Sequence, residues 1–264
     1  MKRPVGVFDS GIGGLSILRA LRAELPHQSF VYVADSGHAP YGEREPGHVI
    51  GRSQAITQHL IRQHDIQALV VACNTATAAA IGLLRQQHPE LPIVGVEPAL
   101  KPAAQVSRTH RVGVMATRGT LQSAKFQTLL ASLQGQAEFV LQACDGLADA
   151  IEHQDDARTE ALCRTYTQAM GRLGGAGGEI DTVVLGCTHY PFAVDTLHAL
   201  VGDAVQLVES GAPVARQTRR VLREPASSGH ATLHFGTTGQ IDQLRTAVQR
   251  WLQPDAVVEK LHIE

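Results

Sequence analysis

Short runs of β-forming residues alternate along this chain with helical patterns, and after a stretch holding Pro98 and Pro102 the alternation starts again. The first series predicts strands at Val5–Phe8, Phe30–Ala34, 68–72 and Ile93–Val96, with helices at Leu15–Glu24, about 48–64 and about 75–88. Strand and helix in strict turn predict a parallel sheet with crossover helices. The second series opens on Val112-Gly113-Val114-Met115-Ala116-Thr117-Arg118-Gly119-Thr120-Leu121, which echoes Val5-Gly6-Val7-Phe8-Asp9-Ser10-Gly11-Ile12-Gly13-Gly14-Leu15. Each copy reads as strand, hydroxyl residue, glycine turn and helix, so the chain is expected to be a diverged duplication of one α/β unit with related sites. The prolines of Glu97–Pro102 mark the junction between the copies. Gly171–Gly178 and Ser227-Ser228-Gly229 read as loops, and 181–185 as a strand. A closing strand, Ala231–Phe235, and a helix from about Gln240 to Leu252 are expected to return to the first domain.

At 264 residues and 44% hydrophobic content, the chain exceeds one ordinary domain and can bury a large core. Its 23 Lys and Arg against 25 Asp and Glu give a net charge of -2 without a basic block, which argues against nucleic acid as primary partner. A strand starts almost at once, leaving no room for a signal peptide, and no apolar run approaches the roughly 20 residues of a membrane span. The expectation is a cytoplasmic protein without a membrane anchor. Cysteines at 73, 144, 163 and 187 lack C-x-x-C spacing, so they are read as free thiols in a reducing compartment.

Two of those cysteines carry the chemistry. Leu69-Val70-Val71-Ala72-Cys73-Asn74-Thr75 and Thr182-Val183-Val184-Leu185-Gly186-Cys187-Thr188-His189 each end a strand in a thiol and then turn to cap-forming residues. A free thiol titrates near about 8.5, so holding it as thiolate at pH 7 costs roughly 2 kcal/mol. A following helix N-terminus offsets part of that through its dipole and open N–H groups. Either cysteine alone would more simply be a buried core residue. Recurrence in the same context in both copies favours function. The turn Asp9–Gly14, with Asp35 closing the next strand, leaves a nicotinamide-binding protein open as an alternative. Ser16 in place of the third glycine, and Asp9 beside the pyrophosphate position, fit that alternative poorly.

Together these motifs resemble the glutamate racemases of the aspartate/glutamate racemase family over essentially the whole chain. The resemblance rests on Asp9–Gly14, Ala34-Asp35 with Pro40-Tyr41-Gly42, Ala72–Ala76, Gly95-Val96-Glu97-Pro98, Ala116-Thr117 with Thr120, and Leu185–Pro191. It implies two similar α/β domains with central, mainly parallel sheets, related by a pseudo-two-fold axis with the active site in the cleft between them. The first would span 1–97 plus 211–264 and carry Asp9 and Cys73; the second would span 98–210 and carry Cys187 and His189. It implies cofactor-independent interconversion of L- and D-glutamate for peptidoglycan synthesis by a homodimer, with no metal. Cys73 would be the base towards D-glutamate and Cys187 towards L-glutamate, with Asp9, His189 and Glu152 assisting. Asp9, Ser10, Asp35, Tyr41, Gly42, Asn74, Thr75, Thr117, Thr120, Thr188 and His189 fall on substrate-holding positions. Two thiols facing each other across a substrate are poorly placed for zinc bonds of about 2.3 Å. A sister specificity for aspartate stays open, since one methylene is worth only about 1–3 kcal/mol. A binding-only role also stays open: some members of the family are reported to inhibit DNA gyrase, an interaction this sequence does not itself support.

Overall fold

In a computed structural model, residues 3–222, 231–252 and 255–263 are described. The chain divides into two compact units, Met1–Val96 with Gly211–Glu264, and Glu97–Ser210. The loop expected at Ser227–Gly229 lies outside the described residues.

The first unit runs β1 (Val5–Asp9), α1 (Leu15–Glu24), β2 (Phe30–Ala34), α2 (Pro46–His64), β3 (Ala68–Val71), α3 (Asn74–Gln87) and β4 (Ile93–Gly95). The second unit follows with α4 (Leu100–Val106), β5 (Arg111–Ala116), α5 (Arg118–Gln122), α6 (Ala124–Ala131), β6 (Glu138–Ala143), α7 (Leu147–Glu152), α8 (Asp156–Ala169), β7 (Thr182–Leu185), α9 (Val194–Val201) and β8 (Gln206–Val208). The chain then returns to the first unit through α10 (Gly211–Val221), β9 (Leu233–Thr237), α11 (Ile241–Trp251) and β10 (Val258–Lys260).

The first sheet has the order β10-β9-β2-β1-β3-β4 and the second β6-β5-β7-β8, with every neighbouring pair parallel. Both are fully parallel, and the four strands β2-β1-β3-β4 have the same order as the whole second sheet. Register repeats too. Val5 pairs with Ala68 and Phe8 with Val71 in one unit, as Val112 pairs with Thr182 and Met115 with Leu185 in the other. Strands β1, β2, β3 and β7 are buried along their whole length, as sheets covered on both faces require. Alternation divides the second core: Met115, Val183 and Leu185 join one apolar cluster, and Val112, Val114, Ala116 and Val184 the other.

Three differences from the sequence reading have simple causes. The junction stretch Glu97–Pro102 runs on into a helix: Pro102 sits in the first turn of α4, where its missing N–H would have no intrahelical partner anyway. The second copy has no glycine turn: Thr117 caps α5 directly by accepting a hydrogen bond from the Thr120 N–H, and Gly119 lies inside the helix. The closing strand begins at Leu233, two residues later than expected, and runs to Thr237 beside β2. No helix among the described residues is long and apolar enough to cross a membrane.

Candidate active site

In the first unit Asp9 closes β1 and is fully buried. Its Oδ2 accepts hydrogen bonds from the backbone N–H groups of Gly11 (3.1 Å) and Gly14 (2.9 Å). A Cβ at position 14 would lie 2.6 Å from that of Asp9 and 2.8 Å from the Tyr32 hydroxyl, so only glycine allows this close a turn. Tyr32 completes the support by donating to the Gly11 carbonyl at 2.7 Å. The turn is thereby built around a carboxylate rather than around a pyrophosphate.

Cys73 is the N-cap of α3, a helix of 14 residues, and its Sγ accepts from the Ala76 N–H at 3.4 Å. Ser10 Oγ lies 3.9 Å away. The thiol therefore meets the positive end of a helix, where a thiolate is stabilised. Beside it Asn74 is buried, and among the described residues neither its Nδ2 nor its Oδ1 has a hydrogen-bond partner. Leaving such an amide unsatisfied costs about 1–3 kcal/mol per group, which a bound polar ligand would remove. Thr75 follows on the same turn, partly exposed.

Asp35, at the end of β2, is fully buried, and its carboxylate is filled by protein donors. Arg52 binds it through two nitrogens at 3.0 Å each, Tyr41 donates from its hydroxyl at 2.6 Å and Thr238 at 2.8 Å. No oxygen is left over for a ribose hydroxyl, which removes the main support for the nicotinamide alternative. Tyr41 and Gly42 form the short 3-10 turn that this carboxylate anchors. Burial, and then the charge of Asp35, push the Tyr41 pKa far up, so the phenol stays a donor.

In the second unit Cys187 and His189 follow β7, and both are buried. Cys187 Sγ lies 3.7 Å from His189 Nδ1, and His189 Nε2 lies 2.8 Å from Oε2 of Glu152, the last residue of α7. Burial works against the charge of His189, but its hydrogen bonds to Cys187 and Glu152 and their negative charges raise its pKa well above the usual histidine value. The imidazolium is thus the favoured form beside the thiol. The helix expected directly after Cys187 is absent. A 3-10 turn, Tyr190–Ala193, containing Pro191, intervenes, and α9 starts only at Val194. Thr188 is buried, while Thr117, the N-cap of α5, donates to the Thr120 hydroxyl in the first turn of that helix at 2.9 Å.

Cys144 and Cys163 are buried, and burial pushes the Cys163 thiol up to about 11 and the Cys144 thiol further. Among the described residues no three His, Cys, Asp or Glu side chains gather in a way that could hold a metal ion. Arg52, Tyr32 and Thr238 were not read from the sequence. For Arg52 a signal existed: it falls on the buried stripe of α2 with Val49, Ser53, Ile56 and Leu60, where a charge needs a partner.

A family profile for Asp/Glu/hydantoin racemases matches residues 15–218. The chain belongs to this family. A glutamate racemase of Ectopseudomonas mendocina is 45% identical over 97% of this chain and 97% of its own length. Among solved structures, a glutamate racemase isoform from Bacillus anthracis superposes with a TM-score of 0.86 at 29% identity, covering 98% of this chain and 97% of that one. The Escherichia coli glutamate racemase, determined with L-glutamate and the activator UDP-MurNAc-Ala, gives a TM-score of 0.84 at 31% identity and covers 100% of both chains. Both elements that bear the thiols, β3 with α3 and β7 with the turn after it, lie inside the matched family region.

Proposed function

We propose that this chain interconverts L- and D-glutamate without a cofactor, supplying D-glutamate for peptidoglycan, with Cys73 and Cys187 as the two acid/base groups. The observation that carries the reading is the placement of both thiols at one repeated position, two residues past the third strand of each unit, each beside its own source of positive potential.

In this reading one cysteine, as thiolate, takes the α-proton and becomes a thiol while the electron pair stays on the α-carbon. The other cysteine, as thiol, gives its proton to the opposite face and becomes the thiolate. Two bases avoid returning the proton to the face it left, and groups that titrate near the working pH do this most effectively. His189, charged through Glu152, holds the thiolate form of Cys187; the α3 N-terminus does the same for Cys73. Asp9 faces the ammonium group of the substrate. Ser10, the Tyr41–Gly42 turn, Asn74, Thr75, Thr117, Thr120, Thr188 and His189 hold its carboxylates and amine through hydroxyl, amide and N–H donors, fixed dipoles that need no reorganisation as charge develops. Asn74 supports this, since its buried amide has no hydrogen-bond partner among the described residues.

A homodimer and a cytoplasmic site of action come from the same resemblance and complete the proposal; light scattering of purified protein tests the first. The activity is tested by circular dichroism of L-glutamate with purified protein and reductant alone, in deuterium oxide, and again with L-aspartate. Loss of optical activity with deuterium at the α-position is expected for glutamate. An unchanged signal, or faster loss with aspartate, overturns the assignment.

A further inference from the structure

We propose that Arg52 is a positioning residue for this reaction: it holds the Tyr41–Gly42 turn against the substrate through Asp35, and is itself fixed by the C-terminal segment. The inference rests on the functional reading above and adds a residue to it that touches no substrate.

Five donors surround the Asp35 carboxylate. Oδ1 receives Arg52 Nη2 at 3.0 Å and the Thr238 hydroxyl at 2.8 Å, with His38 Nδ1 at 3.2 Å; Oδ2 receives Arg52 Nε at 3.0 Å and the Tyr41 hydroxyl at 2.6 Å. A carboxylate offers about four lone-pair sites, so Asp35 has no capacity left for a substrate ammonium. Its role must pass through its partners. Of these, Tyr41 belongs to a substrate motif and is buried, so the phenol fixes its turn by one strong, charge-assisted bond.

Arg52 sets where that anchor sits. Its two nitrogens grip the carboxylate as a planar fork, and the remaining Nη1 donates to the Ile263 carbonyl at 2.8 Å. Thr238 ties in the same carboxylate from the end of β9 while its hydroxyl accepts from the Gly37 N–H at 3.1 Å, and Lys260 in β10 donates to the Thr238 carbonyl at 2.7 Å. Thus α2 and the end of β9 meet on one carboxylate beside the Tyr41 hydroxyl, and the C-terminal segment bonds in turn to Arg52 and to the Thr238 carbonyl. Lysine cannot reproduce this, because a single ammonium lacks the fork geometry that serves both oxygens and the carbonyl together.

The test is Arg52→Lys, which keeps the buried charge, combined with Tyr41→Phe in a double-mutant cycle. The expected result for Arg52→Lys is a KM raised about tenfold for both enantiomers with kcat altered less than about threefold, a fraction of the roughly 10²-fold that an ångström of misplacement costs. The double variant should be no worse than the poorer single, since both break one linkage. Hydrogen exchange supplies a readout independent of activity. The Arg44 amide, bonded to the Tyr41 carbonyl at 3.1 Å, should exchange at least about tenfold faster, while the amides of α3 stay at the wild-type rate. A merely structural role would raise exchange in both places and leave KM alone. If Arg52→Lys does not fold, the paired Asp35→Asn/Arg52→Gln variant, which removes both charges, is read the same way. Wild-type KM with wild-type exchange at Arg44, or full additivity in the cycle, overturns the proposal. If the wild-type protein does not racemise glutamate, the functional reading fails, and the exchange data still decide whether Arg52 holds the turn.

Discussion

Cys73 and Cys187 occupy one place in two copies of the same strand order, yet their surroundings share almost no chemistry. The backbone is common to both: the Ala72 N–H bonds the Phe8 carbonyl at 2.7 Å, and the Gly186 N–H bonds the Met115 carbonyl at the same distance, so each thiol leaves its sheet one residue later. The side chains differ. Asp9 closes β1, but its counterpart at the end of β5 is Ala116; Asp35 follows β2, but its counterpart after β6 is Cys144. Cys73 faces a helix N-terminus, whereas Cys187 faces a 3-10 turn and relies on His189 and Glu152. The ladder register fixes where a thiol stands, while the positive potential beside it can come from aligned N–H groups or from an imidazolium. A duplicated backbone is therefore compatible with two thiols matched in position and unlike in electrostatics.

The sharpest way to break this pairing is to remove one thiol at a time. Cys73→Ala and Cys187→Ala should each lower racemisation by roughly 10²–10⁴-fold, the contribution typical of one positioned acid/base group. In deuterium oxide each variant should still exchange the α-proton of one enantiomer only, and of opposite enantiomers in the two cases, followed by NMR. Exchange of both enantiomers by either variant would show that the two sites do not serve separate faces.

A smaller effect separates the two sources of charge. Glu152→Gln removes a carboxylate that raises the His189 pKa, so the imidazolium is lost at a lower pH than in wild type. Because the charged form is the one that steadies the Cys187 thiolate, the alkaline limb of kcat/KM should move to lower pH, with a loss of about tenfold at neutral pH. Asp9→Asn leaves an oxygen for the Gly11 and Gly14 N–H groups and should weaken turnover without moving that limb. If the limb moves in Asp9→Asn and stays in Glu152→Gln, the assignment of charge to the two sites is reversed.

Much of this was legible in the sequence because it is local. The thiol motifs, the glycine turn and the strands of β1, β2, β3 and β7 announce themselves within ten residues through apolar runs followed by caps. What escaped has partners far away or signals too short to read. Arg52 meets a carboxylate 17 positions earlier and a carbonyl 211 positions later, and Thr238 meets Asp35 across 203 positions. Strands β8 and β10 have three residues each, and β6 is a half-exposed edge strand carrying Glu138 and Gln142. The 3-10 turn after Cys187 was missed because Pro191 reads equally well as the first turn of a helix.

The smallest expected effect concerns the position where the copies diverge most quietly. Cys144 takes the place of Asp35 in the second ladder, and its Sγ donates to the Gln142 carbonyl at 3.4 Å and meets the Tyr190 hydroxyl. Burial holds it as a neutral thiol, packed with Leu147, Cys163 and Tyr190 in the apolar cluster that also contains Cys187. Cys144→Ala should therefore cost about 1 kcal/mol, close to one buried methylene-sized group, and leave racemisation within about twofold of wild type. Denaturant unfolding and the circular dichroism assay measure the two quantities. A loss of activity well beyond the loss of stability would mean that the second copy kept a chemical role at this position, as the first kept Asp35, and that the two ladders differ less than their side chains indicate.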